Sequence, residues 1–224
     1  MIFITGDTHG DFERFKKFKK PFLKHRDYII VCGDFGFIWN GSKEEQKILD
    51  KFKKLRCTCL FIEGTHDNLD LIKGYPEKDM FGGKVREINE NLFYLERGQV
   101  FEIEGRKIFA LGGGQSYDAD DRIIGETWWP EEMPSIEELK TAEQNLYDNK
   151  YNVDLIITHQ NPHADFIVET NEVPKENNLV SFLLKVSKNI KYKHWYFGCE
   201  HTDRTISSKI TAVFEKIIAV DDDL

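Results

Sequence analysis

Five short apolar runs in this 224-residue chain each stop just before a residue able to hold a cation. Ile2-Phe3-Ile4-Thr5 leads into Gly6-Asp7-Thr8-His9, and Tyr28-Ile29-Ile30-Val31-Cys32 into Gly33-Asp34. Leu60-Phe61-Ile62 leads into Glu63-Gly64-Thr65-His66-Asp67, Leu155-Ile156-Ile157 into Thr158-His159, and Trp195-Tyr196-Phe197 into Gly198-Cys199-Glu200-His201. Apolar runs of this length predict buried strands. Open α/β sheets bind ligands just outside the carboxyl ends of their strands. If the five strands share a sheet, their Asp and His side chains converge on one rim.

The first third alternates strand and helix: strands 1–5, 28–32 and 58–62, with helices near 11–20, 43–55 and 68–73. Such alternation predicts a parallel sheet with crossover helices. The middle changes to short β runs, Val85–Ile88, Leu92–Leu95, Val100–Ile103 and Lys107–Leu111, separated by turn residues that predict antiparallel hairpins. After an irregular segment over 112–134, Ser135 with Glu138 three residues on forms a capping box and opens a helix to about Tyr147. Strand 153–158, a helix near 178–188, strand 194–198 and a final hairpin of Thr205–Ser208 with Thr211–Val220 complete the order. Two mixed sheets packed face to face with helices outside account for it, as one domain over residues 1–224.

Bulk properties narrow the function. No apolar run approaches the ~20 residues of a membrane span. The start, Met1-Ile2-Phe3-Ile4-Thr5-Gly6-Asp7, lacks a positive leader and reads as a strand, so a cytoplasmic location is expected. A net charge of −8, from 31 Lys and Arg against 39 Asp and Glu, disfavours coating long nucleic acid. In the one basic run, Arg14 to Lys20, Phe12, Phe15, Phe18 and Phe22 recur at helical spacing, predicting a solvated face over a buried aromatic stripe. Cys32, Cys57, Cys59 and Cys199 form no disulfide framework, and Cys57-Thr58-Cys59 reads as strand packing.

The motifs carry hydrolytic chemistry. Two cations about 3.5–4 Å apart can activate water and clamp phosphate oxygens, and they need carboxylate and imidazole ligands with one carboxylate shared. Gly-Asp-x-His-Gly at 6–10 puts Asp7 and His9 on a tight turn, and Gly33-Asp34 offers the shared carboxylate. Each motif alone is compatible with turn chemistry. In order, with His66-Asp67, His159 and His201, they point to a two-metal site. His25, His163 and His194 lack ligand spacing and read as non-catalytic. Gly112-Gly113-Gly114 reads as a turn or close backbone approach, and Trp128 and Trp129 as packing beneath the long loop.

In this series the chain resembles a calcineurin-like metallophosphoesterase of the compact single-domain bacterial and phage kind. The segment Gly112 to Asp118, Arg122 and Trp128-Trp129 is similar to a signature of that subgroup. The resemblance implies a four-layer αββα sandwich. It implies that Asp7, His9 and His201 hold a first metal, that Asp34 bridges, and that His159 holds a second. His66 would sit over the scissile phosphate with Asp67 orienting its ring; Arg122 reads either as an ordinary surface arginine or, by its place in the subgroup-like loop, as a grip on phosphate. Two residues depart from the family pattern, both at the second metal. Thr65 stands for an amide ligand and Cys199 for an imidazole, and a thiolate biases that position toward zinc or iron over manganese.

The expected activity is therefore metal-dependent hydrolysis of a small phosphorylated substrate, as phosphatase or phosphodiesterase, with one or two divalent ions (manganese, iron or zinc) per chain. The run Gly33-Asp34-Phe35-Gly36-Phe37 lacks the Asp and Arg that extend this motif in the protein-phosphatase branch. The rival reading is a catalytically weak or inactive metal-containing protein that binds a phosphorylated ligand or partner.

Overall fold

The computed structural model describes residues 1–17, 27–162 and 177–220. Phe18, Lys19, Lys20, Phe22, His25, His163 and the Asp221-Asp222-Asp223 tail lie outside the described residues.

The opening alternation is present as β1 (Ile2–Thr5), α1 (Glu13–Lys17), β2 (Tyr28–Cys32), α2 (Lys43–Phe52), β3 (Thr58–Ile62) and α3 (Leu69–Lys73). β1, β2 and β3 pair side by side in parallel. The chain then adds β4 (Glu77–Met80), β5 (Gly83–Asn89) and β6 (Leu92–Leu95), an antiparallel meander whose last strand lies parallel to β3. β7 (Gln99–Ile103) and β8 (Arg106–Leu111) form a hairpin that starts a second sheet. After α4 (Ile136–Asp148) come β9 (Leu155–Thr158), α5 (Asn178–Asn189), β10 (His194–Phe197), β11 (Arg204–Ser207), β12 (Ile210–Ala212) and β13 (Ile218–Ala219). The seven-stranded sheet has the order β13-β1-β2-β3-β6-β5-β4, and the six-stranded sheet β11-β12-β10-β9-β8-β7.

Side-chain alternation along the strands builds the layers. Ile2, Ile4, Ile30, Cys32, Leu60 and Ile62 face Ile108, Ala110, Leu155, Ile157 and Tyr196 of the other sheet, forming the core between the sheets. Phe3, Ile29, Val31 and Phe61 point the opposite way, against Phe15, Phe52 and Ile72 on the first three helices. On the far side Ile156, Trp195 and Phe197 pack beneath Leu139 and Leu146 of α4 and Leu183 and Val186 of α5. The result is the expected four layers, helices outside two mixed sheets. α4 starts as read, with Ser135 Oγ accepting from Glu138 N (3.2 Å) and the Glu138 carboxylate from Ser135 N (2.8 Å).

The five ligand-bearing strands divide between the two sheets, β1, β2 and β3 in the first and β9 and β10 in the second. Two expectations change. The final hairpin is only half present, since β12 pairs with β11 while β13 crosses to pair with β1. The Asp203 carboxylate causes the break by accepting from the backbone N–H of Phe214, Glu215 and Lys216. Arg14, read as part of a solvated face, is buried. It donates to the carbonyls of Gly6 (2.8 Å), Asp7 (2.8 Å) and Phe214 and to Thr5 Oγ1 (3.0 Å), fastening the turn after β1. Phe12 and Phe15 do form the predicted aromatic packing, against Phe37 and Phe52.

Candidate metal centre

The carboxyl ends of β1, β2, β3, β9 and β10 meet along the seam between the two sheets, and tight turns aim their side chains inward. Asp7 (φ 42°), His9 (φ 44°), Asp34 (φ 45°), Cys199 (φ 68°) and His201 (φ 45°) all have left-handed backbones. That conformation is uncommon outside glycine, and sparsely populated conformations of this kind cluster at functional sites. Glycine lets these turns approach one another. A Cβ on Gly33 (φ 87°) would lie 2.3 Å from His159 Nδ1, and one on Gly64 would lie 2.1 Å from Asp34 Oδ1.

Two donor groups result, each with ligand atoms within 4.8 Å of one another: His9, Asp34 and His201, and Asp7, Asp34 and His159. Asp34 belongs to both, which is where a bridging carboxylate must stand. The partition differs from the one implied by the resemblance, because Asp7 groups with His159 and not with His9 and His201. Its carboxylate is drawn inward by the Cys199 backbone N–H, 3.1 Å from Oδ1, and lies 3.4 Å from His159 Nδ1. In the other group His9 Nε2 and His201 Nε2 approach to 3.0 Å, with His9 Nε2 3.7 Å from Asp34 Oδ2. The His201 ring stacks on Phe214.

The donor chemistry fits a divalent cation. His159 Nδ1 donates to the Cys32 carbonyl (3.1 Å), so Nε2 points into the site, 3.6 Å from Asp34 Oδ1, where a bound cation would take the place of its proton. His159 Nε2 and Asp7 Oδ2 are both buried with no hydrogen-bond partner. Orphaned buried polar atoms cost roughly 1–3 kcal/mol each, and more when charged. Among the described residues, Asp7 and Asp34 pair only with histidines, never with Lys or Arg. Burial pushes the Asp34 carboxyl up, but His159 and the hydrogen bonds from His66 outweigh it and hold Asp34 well below the usual carboxylate range. His9 is pulled down by burial, against the opposing charges of Asp34 and Asp7. Burial likewise pushes the Cys199 thiol up, against His159.

His66 stands beside the donor groups. Its Nδ1 lies 3.0 Å from Asp34 Oδ2 and 3.1 Å from Thr65 Oγ1, and its backbone N–H donates to Asp34 Oδ1 (2.8 Å). Arg122 donates from one Nη to His66 Nε2 and from the other to the Thr65 carbonyl (3.0 Å), while Asp118 holds it at 2.9 Å. A guanidinium can only donate, so Nε2 accepts here and the ring proton sits on Nδ1, facing Asp34. Thr65 thus meets His66 through its hydroxyl and Arg122 through its carbonyl.

Asp67 requires a correction. Its carboxylate does not orient the His66 ring; Asp34 does. Asp67 is buried and accepts from the backbone N–H of Phe35 (3.1 Å), Gly36 (2.8 Å) and Gly64 (2.9 Å), clamping the turns after β2 and β3 together. Burial and the Asp34 charge push its carboxyl up, against those three amides. It is a buried support for the Asp34 turn.

The motif reading missed a second support. Arg97, on the turn after β6, is buried and pairs through Nε with Glu63, the residue just before Gly64-Thr65-His66. Its other nitrogens donate to the Glu131 carbonyl (2.6 Å), the Glu132 carbonyl (3.1 Å) and the Glu138 carboxylate (3.2 Å). The Glu132 carboxylate then accepts from Ser116 N and Oγ, both at 2.6 Å, and Gly113 N donates to the Glu63 carbonyl (2.9 Å). Both ends of the 112–134 loop are therefore tied to β3, and the glycine run makes the close backbone approach expected of it. Trp129 is buried under this loop, its Nε1 on Asp70 (3.1 Å) and its ring edge-on to Trp39. His194, read as non-catalytic, is buried with Nε2 2.9 Å from Thr211 Oγ1. Nothing in the sequence marks Arg97 and Glu63 as partners, because 34 residues separate them and each type is ordinarily exposed.

Known proteins share this fold. Residues 1–213 match the family model described as calcineurin-like phosphoesterase. The structure is similar to that of the phosphopantetheinyl hydrolase PptH from Mycobacterium tuberculosis, with TM-score 0.53 and 11% identity over 95% of this chain and 89% of that one. It is also similar to a putative 5'-nucleotidase from Staphylococcus aureus, with TM-score 0.53 and 14% identity over 99% of this chain. The match spans 51% of that nucleotidase, about half its length. Identities this low show a shared fold alone. Among curated proteins there is no significant match. With a family match over nearly its whole length and the family's two-sheet architecture, the chain belongs to the calcineurin-like phosphoesterases.

Proposed function

We propose that the chain hydrolyses phosphate esters of small molecules, as a phosphatase or phosphodiesterase, at the seam between its sheets. The observation that carries this reading is the pair of donor groups sharing Asp34, with His66 and Arg122 alongside. Asp7, His9, Asp34, His159 and His201 would hold one or two divalent ions, of manganese, iron or zinc. Ions bound there supply an acidified water and positive charge opposite the phosphate oxygens. Arg122 leaves His66 Nε2 for an equatorial phosphate oxygen, which it can grip bidentately. With Nε2 freed of Arg122, the ring takes up a proton there from solvent, Nδ1–H still held by Asp34, and the imidazolium passes that proton to the leaving oxygen. Asp67 and Arg14 fix the turns that set these distances.

A second reading follows from Cys199, which meets Asp7 through its backbone N–H and presents a thiol where the family has an imidazole. With Thr65 in place of an amide, the second position is altered, and a weakly active protein that binds a phosphorylated ligand is the alternative. Metal per chain, measured after purification without chelator, and assays of aryl phosphate mono- and diesters with manganese, zinc or iron separate the two. The expected result is turnover of at least one ester, falling about 10²–10⁴-fold in His66→Ala. No turnover with any metal selects the binding reading. Thr65→Asn with Cys199→His should raise manganese occupancy, and unchanged stoichiometry refutes the account of the second position.

A further inference from the structure

Eight large apolar side chains are exposed among the described residues. Three of them, Tyr117 (60%), Ile123 (58%) and Ile124 (68%), fall within one short stretch of the loop that carries Arg122. Tyr117 precedes Asp118, and Ile123 and Ile124 follow Arg122, so the apolar positions flank the ion pair standing at His66.

This loop tip is built. The Ile123 N–H donates to Thr127 Oγ1 (2.8 Å), and the Ile123 carbonyl accepts from Thr127 N (2.8 Å) and Trp128 N (3.1 Å). Gly125 N donates to the Trp128 carbonyl (2.8 Å), and Arg122 N to the Ala119 carbonyl (3.2 Å). The segment satisfies its own backbone while turning isoleucines into water, an arrangement that favours an apolar occupant. The other charges of this stretch are Asp118, Asp120, Asp121 and Glu126, so Arg122 is the only cation between Tyr117 and Trp129. One cation among four carboxylates suits a single phosphate and disfavours further anionic groups.

We propose that Tyr117, Ile123 and Ile124 receive the organic half of the substrate, and that the preferred substrates are single-phosphate esters of uncharged aryl or alkyl alcohols. Sugar phosphates, polyphosphates and phosphorylated proteins are the disfavoured classes. The inference rests on the phosphoesterase reading above and names the substrate class of the same site.

A series with one leaving group tests it: methyl, butyl, octyl and phenyl 4-nitrophenyl phosphates. If only monoesters are cleaved, the matching alkyl and phenyl phosphates serve, followed by phosphate release. Each methylene seated on the rim should raise kcat/KM about two- to four-fold, so octyl should exceed methyl by at least about ten-fold. Ile123→Ser with Ile124→Ser should collapse that ratio. A wild-type ratio near one, or a ratio that survives in the double variant, overturns the inference and leaves the phosphoesterase reading standing. A wild-type dimer that the double variant converts to monomer also overturns it, because a second copy then covers the face. Failure to hydrolyse any ester with any metal refutes the phosphoesterase reading and this inference with it.

Discussion

Replacing Arg97 with methionine keeps most of the side-chain volume and removes every donor. In the native chain the Arg97 side chain is 3% exposed and Glu63 is fully buried. The variant strands the Glu63 carboxylate without a counter-charge and leaves the Glu131 and Glu132 carbonyls without their guanidinium. Removing one partner of a buried ion pair costs about 3–5 kcal/mol. In a chain of this size each kcal/mol lowers Tm by about 2–4 °C, so the expected fall is about 6–20 °C. The second half of the argument is a rescue. If the loss comes from an abandoned charge, Arg97→Met with Glu63→Leu should be more stable than Arg97→Met alone, since apolar replacement of a whole buried pair is often neutral. Calorimetry with a urea titration by circular dichroism measures both variants. A fall of less than about 3 °C in the single variant, or a double variant no more stable than the single, refutes the reasoning.

Three further outcomes are expected. Asp34→Asn removes the carboxylate common to both donor groups, so bound metal should fall toward zero. The stabilisation by metal at a hundred-fold excess over Kd, about 2.7 kcal/mol or 5–11 °C, should vanish with it; retained metal content counts against the shared role. Ser135→Ala removes half of the capping box and should cost about 1 kcal/mol, a Tm loss of about 2–4 °C, with no loss supporting an unimportant cap. Glu138 is pushed up by burial but pulled further down by Arg97 and Ser135, so its folded-state carboxyl lies below the usual range. Its stabilisation is present above the ordinary value of about 4.3 and is lost as pH falls below it. Glu138→Gln should therefore flatten the stability profile between about pH 3 and 5, and an unchanged slope refutes the sign.

The layers were legible because strands such as Ile2–Thr5 and Tyr28–Cys32 carry apolar residues on both faces, which requires cover on both sides. Strand β4, with Glu77, Lys78 and Asp79 exposed, has no such signal; it forms only because β5 offers a ladder, and its charges guard an open edge. The crossing of β13 to the first sheet was hidden for a similar reason, since Asp203 creates the break from a distance. At the centre, the chemically distinctive side chains could be read in order along the chain. What could not be read was which of two neighbouring groups each would join, as with Asp7. The roles of Asp67, Arg14 and Arg97 were equally hidden, because their contacts run largely to backbone atoms, and a residue type says little about those.

Each donor group draws two members from the seven-stranded sheet and one from the six-stranded sheet. Neither layer alone owns a full ligand set, and Asp34 and His159 stand 125 positions apart in the chain. A captured ion would therefore act as a rivet through the sandwich, resisting slippage of one layer over the other. It would also report assembly, since only a chain whose two halves have already met can grasp it.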